Sequence, residues 1–124
     1  MNLDFFKQTR ILDGGMGQEL LARGMRPNGT LWSANALLKQ NYHKLLLDVH
    51  TDFVKAGAEV IVTTTFTTRK SRLKDNKILD KYEYLNKKAG EIAKEVKKTY
   101  PNILVAGGLP PQNLTYESDD RDEK

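Results

Sequence analysis

Apolar residues recur in two long helical patterns along the chain. From Tyr42 to Ala56 they return every three or four residues, which predicts an amphipathic helix, and Gly57 follows as a stop. A second such pattern predicts a helix from about Asp80 to Thr99, and Pro101 ends it. The chain is therefore expected to have two helices that each bury one face.

Short apolar or β-branched runs between these patterns predict buried strands. They are the run that ends at Ile11 and Leu12, then Glu59 to Thr65, and then Ile103 to Ala106. After Thr68 the chain turns basic and shows no pattern until about Ile78. Alternating strands and helices indicate an α/β fold of parallel βαβ units, either an open sheet or part of an eightfold barrel. In both, ligands lie at the carboxyl ends of the strands.

The stretch from Ile11 to Leu20 carries the first candidate chemistry. It reads Ile-Leu-Asp-Gly-Gly-Met-Gly-Gln-Glu-Leu, so a strand delivers the carboxylate of Asp13 to the rim of the sheet. Glycines at this place allow positive φ and let a ligand lie against the backbone. The stretch is not G-x-G-x-x-G, which argues against a dinucleotide site. The alternative hypothesis is that Asp13 does not bind a ligand and instead caps the helix that follows.

Composition limits the kind of site that the chain can build. The apolar fraction is 39% in 124 residues, which is low for a self-contained domain, and there is no cysteine for a disulfide or a thiolate metal site. His43 and His50 lack partners at metal spacing and are expected as packing or surface residues. No signal peptide or membrane span is recognisable, so we expect a cytoplasmic protein without a membrane partner.

Charge is distributed unevenly. The net charge is +4, yet Glu117 to Lys124 carries five acids against two bases. We expect residues 1–116 to form one incomplete domain, and residues 117–124 to be a charged tail or a truncated loop. The lysines between Lys87 and Lys98 fall on the polar face of a predicted helix, and no stacking platform accompanies them. No nucleic-acid partner is therefore expected.

Several stretches together resemble the opening of the zinc-dependent homocysteine S-methyltransferases. That family includes the betaine-homocysteine and S-methylmethionine-homocysteine enzymes and the homocysteine module of cobalamin-dependent methionine synthase. The resemblance covers about Thr9 to Pro111 in the family's order and spacing. It is carried by Ile11 to Leu20, Leu31 to Ala34, His50 to Ala58, Val60 to Phe66 and Val105 to Pro111.

The resemblance implies a TIM barrel in which zinc, held by three cysteines, keeps the homocysteine sulfur as a thiolate. The thiolate attacks the methyl group of a donor such as S-methylmethionine or betaine and gives methionine. The zinc cysteines of the family come from later strands, so this chain would supply the first three or so of eight βα units. Zinc is expected in the complete family enzyme and not in this chain alone.

The resemblance also assigns substrate-binding roles, while it places no catalytic or metal-binding residue in this chain. Asp13 matches the acid that helps hold the substrate amino group, and Gly14 and Gly15 match glycines that pack over the substrate. Thr65 and Phe66 match the loop near the methyl donor. The run from Thr67 to Lys70 departs from the family, which leaves the donor open.

The partners implied by the resemblance are homocysteine, a small methyl donor, and the remainder of the barrel or a second copy. The alternative is a non-catalytic α/β module that binds a partner through exposed sheet edges. Without the rest of a barrel, the chain is expected to be catalytically incomplete.

Overall fold

The helices and strands alternate along the chain in a computed structural model that describes residues 2–112. Within these residues the fold is mixed α/β with a parallel sheet. The helices are α1 Met16–Ala22, α2 Asn35–Leu38, α3 His43–Lys55, α4 Lys70–Asp75 and α5 Tyr82–Thr99, and the strands are β1 Val60–Val62 and β2 Leu104–Ala106. Short 3-10 turns occupy Leu3–Lys7, Trp32–Ala34, Gln40–Tyr42 and Leu79–Lys81.

The two long predicted helices, α3 and α5, form the layer that carries the main core. Their apolar faces meet each other, because the spacing of leucine, isoleucine and valine along each helix puts those side chains on one side. The cluster is completed by residues from α1, α2 and α4. Its members with no exposed surface are Leu20, Ala34, Ala36, Leu37, Leu46, Val49, Leu73 and Leu85. Both helices are confirmed to within a few residues.

The sheet contains β1 and β2 side by side in parallel, with Ile61 paired to Val105. On the other edge of β1, Leu12 forms a single parallel bridge to Val60. The predicted first strand is therefore present only as this bridge. Ile11 and Leu12 are each 59% exposed, so among residues 2–112 no further segment covers that edge.

The sequence predicted longer and more buried strands than the structure has. β1 ends at Val62, because the Thr65 backbone N–H turns back to donate to the Thr63 carbonyl at 2.7 Å. β2 is half-buried along its length, whereas a fully buried strand was expected. The basic segment in which the sequence shows no pattern contains α4, whose Leu73 is completely buried in the core.

Membrane spans and the end of the chain were also considered in the sequence. Within residues 2–112, no helix is long and apolar enough to span a membrane. The domain boundary at residue 116 and the charged segment 117–124 lie outside the described residues.

Candidate substrate site at the carboxyl edge of the sheet

Three loops meet where the parallel segments end. The loop after Leu12 reaches β1 through the Val62 backbone N–H, which donates to Asp13 Oδ2 at 2.9 Å. The loop after β1 reaches the loop after β2 through two bonds: the Gly108 N–H donates to Thr63 Oγ1 at 3.1 Å, and Thr65 Oγ1 donates to the Gly108 carbonyl at 2.8 Å. The three loops predicted to share one edge of the sheet are thus joined by hydrogen bonds.

Asp13 is half-buried at this edge. Burial raises the pKa of its carboxyl above the usual value of 3.8, and the hydrogen bond from the Val62 backbone opposes that rise. The alternative role as a helix cap is wrong, because Gly15 occupies the N-cap of α1 and no side chain caps that helix. One carboxylate oxygen is fixed by backbone, and the residue keeps access to solvent for a cationic group.

Gly14 and Gly17 are needed for packing, and none of the three glycines after Asp13 is needed for backbone conformation. None of Gly14, Gly15 and Gly17 has positive φ, so that expectation is wrong. A Cβ on Gly14 would lie 2.9 Å from the ring of Phe53, and a Cβ on Gly17 would overlap the indole of Trp32. Gly15 is looser, since the nearest atom to such a Cβ is 3.9 Å away. The first loop therefore lies flat against the aromatic rings of the chain itself.

The two residues expected near the methyl donor differ in environment. Thr65 is buried and its hydroxyl is engaged with Gly108, so its observed role is to join two loops. Phe66 is 46% exposed, and the guanidinium carbon of Arg69 lies 5.8 Å from its ring centroid. Phe66 is thus the more accessible of the two to a ligand.

Buried polar residues follow directly, where the sequence showed only a basic stretch without pattern. Thr67 Oγ1 donates to the Leu31 carbonyl at 2.7 Å and accepts the Ala34 N–H at 3.0 Å. Thr68 Oγ1 donates to Asn86 Oδ1 at 2.8 Å. Arg69 is buried too, which its charge did not indicate. The only available signal was a run of hydroxyl residues continuing past a strand.

His50 is a packing histidine, one of the two roles expected for it. It is 1% exposed on α3, and its Nε2 lies 3.3 Å from Thr64 Oγ1. Burial lowers the pKa of His50 to about 4, so the imidazole is neutral at pH 7. It contributes to packing without adding a charge.

The described residues do not fit a zinc site with three thiolates. The sequence has no cysteine, and within residues 2–112 no three His, Asp or Glu side chains are grouped to hold a metal. The residues brought together at the edge are instead one carboxylate, several hydroxyls and backbone amides. Such a set offers hydrogen-bond acceptors and one negative charge to a ligand that carries an amine.

The family follows from the match of almost the whole chain. Residues 10–124 match the family model described as homocysteine S-methyltransferase. The chain belongs to this family. The resemblance noted from its motifs is confirmed.

Individual relatives show how much of such a protein the chain represents. It is 38% identical over 92 residues to selenocysteine Se-methyltransferase from Brassica oleracea var. italica, covering 73% of this chain and 26% of that protein. It is 29% identical over 109 residues to homocysteine S-methyltransferase from Escherichia coli, covering 82% of this chain and 34% of that one. The chain spans about a quarter to a third of these curated relatives, as expected of an N-terminal fragment.

A solved structure shows that the fold of the chain is also similar to that of a homocysteine methyltransferase. The metallated form of the homocysteine methyltransferase MmuM from Escherichia coli superposes with a TM-score of 0.74 at 29% identity. The match covers 89% of this chain and 41% of that chain.

Proposed function

We propose that this chain supplies the amine-binding part of a homocysteine S-methyltransferase site. In this proposal its parallel segments are the first three or so units of an eightfold barrel. The observation that carries it is the Asp13 carboxylate, which stands beside a glycine loop at the carboxyl edge of the sheet. Membership of the family supplies homocysteine as the substrate.

The environment of Asp13 suits an ammonium group. Burial disfavours the charged carboxylate, as its raised pKa records, and a bound cation offsets that cost with a charge-assisted hydrogen bond. The Val62 N–H holds one oxygen in place, so the carboxylate is oriented before the ligand arrives. Gly15 leaves room in this loop, because the nearest atom to a Cβ there is 3.9 Å away, whereas Gly14 packs against Phe53.

The reaction divides between this chain and the rest of the site. A homocysteine thiolate attacks the methyl carbon of the donor, a carbon–sulfur bond forms, and the bond from that methyl to the donor breaks. The chain binds and orients the amine end of homocysteine through Asp13, with Thr65 and Phe66 on the donor side. Generation of the thiolate falls to residues beyond those described, and S-methylmethionine or betaine remains the proposed donor. The cytoplasm remains the expected location.

Binding of homocysteine and of an amine-free analogue tests the role of Asp13. Shifts of the Val62 backbone N–H resonance, whose proton is donated to Asp13, compare L-homocysteine with 4-mercaptobutanoate on the 15N-labelled full chain. The analogue keeps the thiol and the carboxylate, and the Val62 reporter excludes binding elsewhere on the chain. We expect homocysteine to bind more tightly, and Asp13→Asn to weaken its binding about tenfold or more, because a charge-assisted hydrogen bond contributes about 1.5–3 kcal/mol.

The matched control is Asp48→Asn, which removes an acid that pairs with Lys44 on the surface of α3. It should leave homocysteine binding unchanged. Equal affinity for the two ligands, or unchanged homocysteine binding by Asp13→Asn, contradicts the proposal.

One observation favours a second function, that of an association module. Ile11 and Leu12 lie on a free edge of the sheet at 59% exposure each, and such edges pair with other strands. Sedimentation of the same samples separates the two functions. Binding of homocysteine by the monomer supports the substrate site, whereas a self-associated chain that binds no homocysteine supports the module.

A further inference from the structure

A cavity of about 490 Å³ opens between the loop after β1, the start of α5 and the loop after β2. Two cations, Arg69 and Lys70, line it together with the rings of Tyr82, Pro110 and Pro111. Ser71 Oγ donates to the Gln112 carbonyl at 2.9 Å, which ties α4 to the loop after β2. The cavity is therefore a concave site lined by cations and by apolar rings.

Arg69 provides the reason to expect a ligand there. The side chain is 6% exposed, and its Nε and Nη1 are buried without a hydrogen-bond partner among residues 2–112. A guanidinium stays protonated in proteins, so this is a covered positive charge with unused donors. Leaving such a group unpaired is costly, and an anion would offset that cost.

The neighbouring groups do not neutralise Arg69. Asn86 Oδ1 accepts from the Thr68 hydroxyl, and the Phe66 ring 5.8 Å from the guanidinium carbon offers it a cation–π contact but no negative charge and no acceptor for Nε. Asp75 attracts the guanidinium and Arg72 repels it, but within residues 2–112 no ion pair joins Arg69 to an acid. The guanidinium is therefore open to an anion that comes from outside the described residues.

The walls indicate which kind of anion fits. Lys70 is exposed, and its Nζ lies 5.2 Å from the centroid of the Tyr82 ring, so water and the ring both already stabilise its charge. Arg69 is therefore the cation that still needs a counter-charge, and a ligand with a single negative charge is enough to pair with it. The aromatic and proline surfaces in the lining suit a short apolar body more than a second charged group.

We propose that this cavity binds a small organic monocarboxylate, with its carboxylate on Arg69 and its apolar part against Tyr82, Pro110 and Pro111. Its charge preference is opposite to that of the Asp13 site. The assignment does not rest on methyl transfer, so either proposal can fail without the other.

The Nε–H resonance of Arg69 in 15N-labelled chain reports directly on this site. Titration with propionate should shift that resonance saturably, and the same concentration of sodium chloride should not. Arg69→Gln should weaken propionate binding about tenfold or more, since it removes the charge and the donors. Arg69→Lys should retain part of the affinity. Lys74→Gln removes a charge from α4 at a position that does not line the cavity. This variant should bind propionate as the wild type does.

Inorganic phosphate, titrated in parallel, distinguishes a general anion site. A phosphate affinity equal to or above that of propionate overturns the carboxylate assignment. An absent or unsaturable shift of the Arg69 resonance with propionate overturns the site itself, including the case in which a protein carboxylate already pairs with Arg69. Because these shifts are measured on the wild type, the test does not depend on any variant folding.

Discussion

The helical layer and the carboxyl edge of the sheet differ in how fully their apolar side chains are covered and their polar side chains are paired. Between α3 and α5 the apolar residues are covered by one another, down to complete burial at Leu46 and Leu85. At the edge, Leu109 is 93% exposed, Asp13 keeps access to solvent, and Nε and Nη1 of Arg69 are buried without a hydrogen-bond partner among residues 2–112. The side chains of the layer are thus covered by one another, whereas the edge keeps exposed apolar and unpaired polar groups.

This difference separates stability from function within one chain. Apolar burial in the layer is the main source of stability, because the free energy gained scales with the area removed from water. The edge holds its polar groups at some cost, since covered charges are disfavoured until paired. Substitutions in the layer should therefore change stability, while substitutions at the edge should change binding.

The largest effect is expected from removing a leucine side chain inside the layer. Leu85→Ala leaves a cavity between α5 and its neighbours, and buried leucine truncations cost about 2–5 kcal/mol. The matched variant at the edge is Leu109→Ala, which should stay within about 0.5 kcal/mol because that side chain is exposed. Urea denaturation followed by circular dichroism gives both values. Similar losses for the two variants would refute the distinction.

An intermediate effect is expected at His50, which joins the layer to the end of β1. Its pKa is about 4 in the folded chain against 6.5 for a free imidazole, because burial disfavours the cation. Its contribution to stability is therefore fully present above pH 6.5 and falls as the pH is lowered towards 4. The shift corresponds to at most about 3 kcal/mol.

Urea denaturation across that pH range measures the His50 contribution. His50→Gln removes the titrating group, so the difference between wild type and variant isolates it from the carboxylates that titrate nearby. If that difference does not change with pH, the imidazole is not held neutral by burial.

The sequence predicted the layer better than the edge, for a physical reason. The helices α3 and α5 follow from spacing within one segment, and their bounds are right to within a few residues. The extent of the first strand depends on its neighbours, and with β1 alone beside it Leu12 forms just one bridge. Local pattern is sufficient for an amphipathic helix, but a strand also needs partners.

The site shows the same limit. The motif at Asp13 and the shared edge of the loops could be read from residue order, because parallel strands end together. The burial of Arg69 could not, since a basic residue after a strand is ordinarily exposed. It follows from contacts between loops far apart in sequence, which no periodicity records.

Apart from the exposed control Leu109→Ala, the smallest effect on stability is expected from Asp13→Asn, although that substitution should abolish much of the homocysteine binding. Asparagine keeps an oxygen for the Val62 N–H and removes a carboxylate that burial disfavours. Because the pKa of Asp13 is raised on folding, its charged form costs stability, and this cost grows as the pH rises from 3.8 through the folded pKa. The variant should therefore be as stable as the wild type at pH 7, or more stable by up to about 1 kcal/mol, with the gain disappearing in acid.

Urea denaturation at pH 7 and in acid measures this directly. A loss of stability at pH 7 comparable to that of Leu85→Ala would mean that Asp13 holds the fold together, and the contrast between layer and edge would fail at its most important residue. Unchanged stability together with weakened homocysteine binding would show that the Asp13 carboxylate contributes to ligand binding and not to folding. Those two results are expected together for a charged group that is unpaired in the free chain and pairs with the ligand.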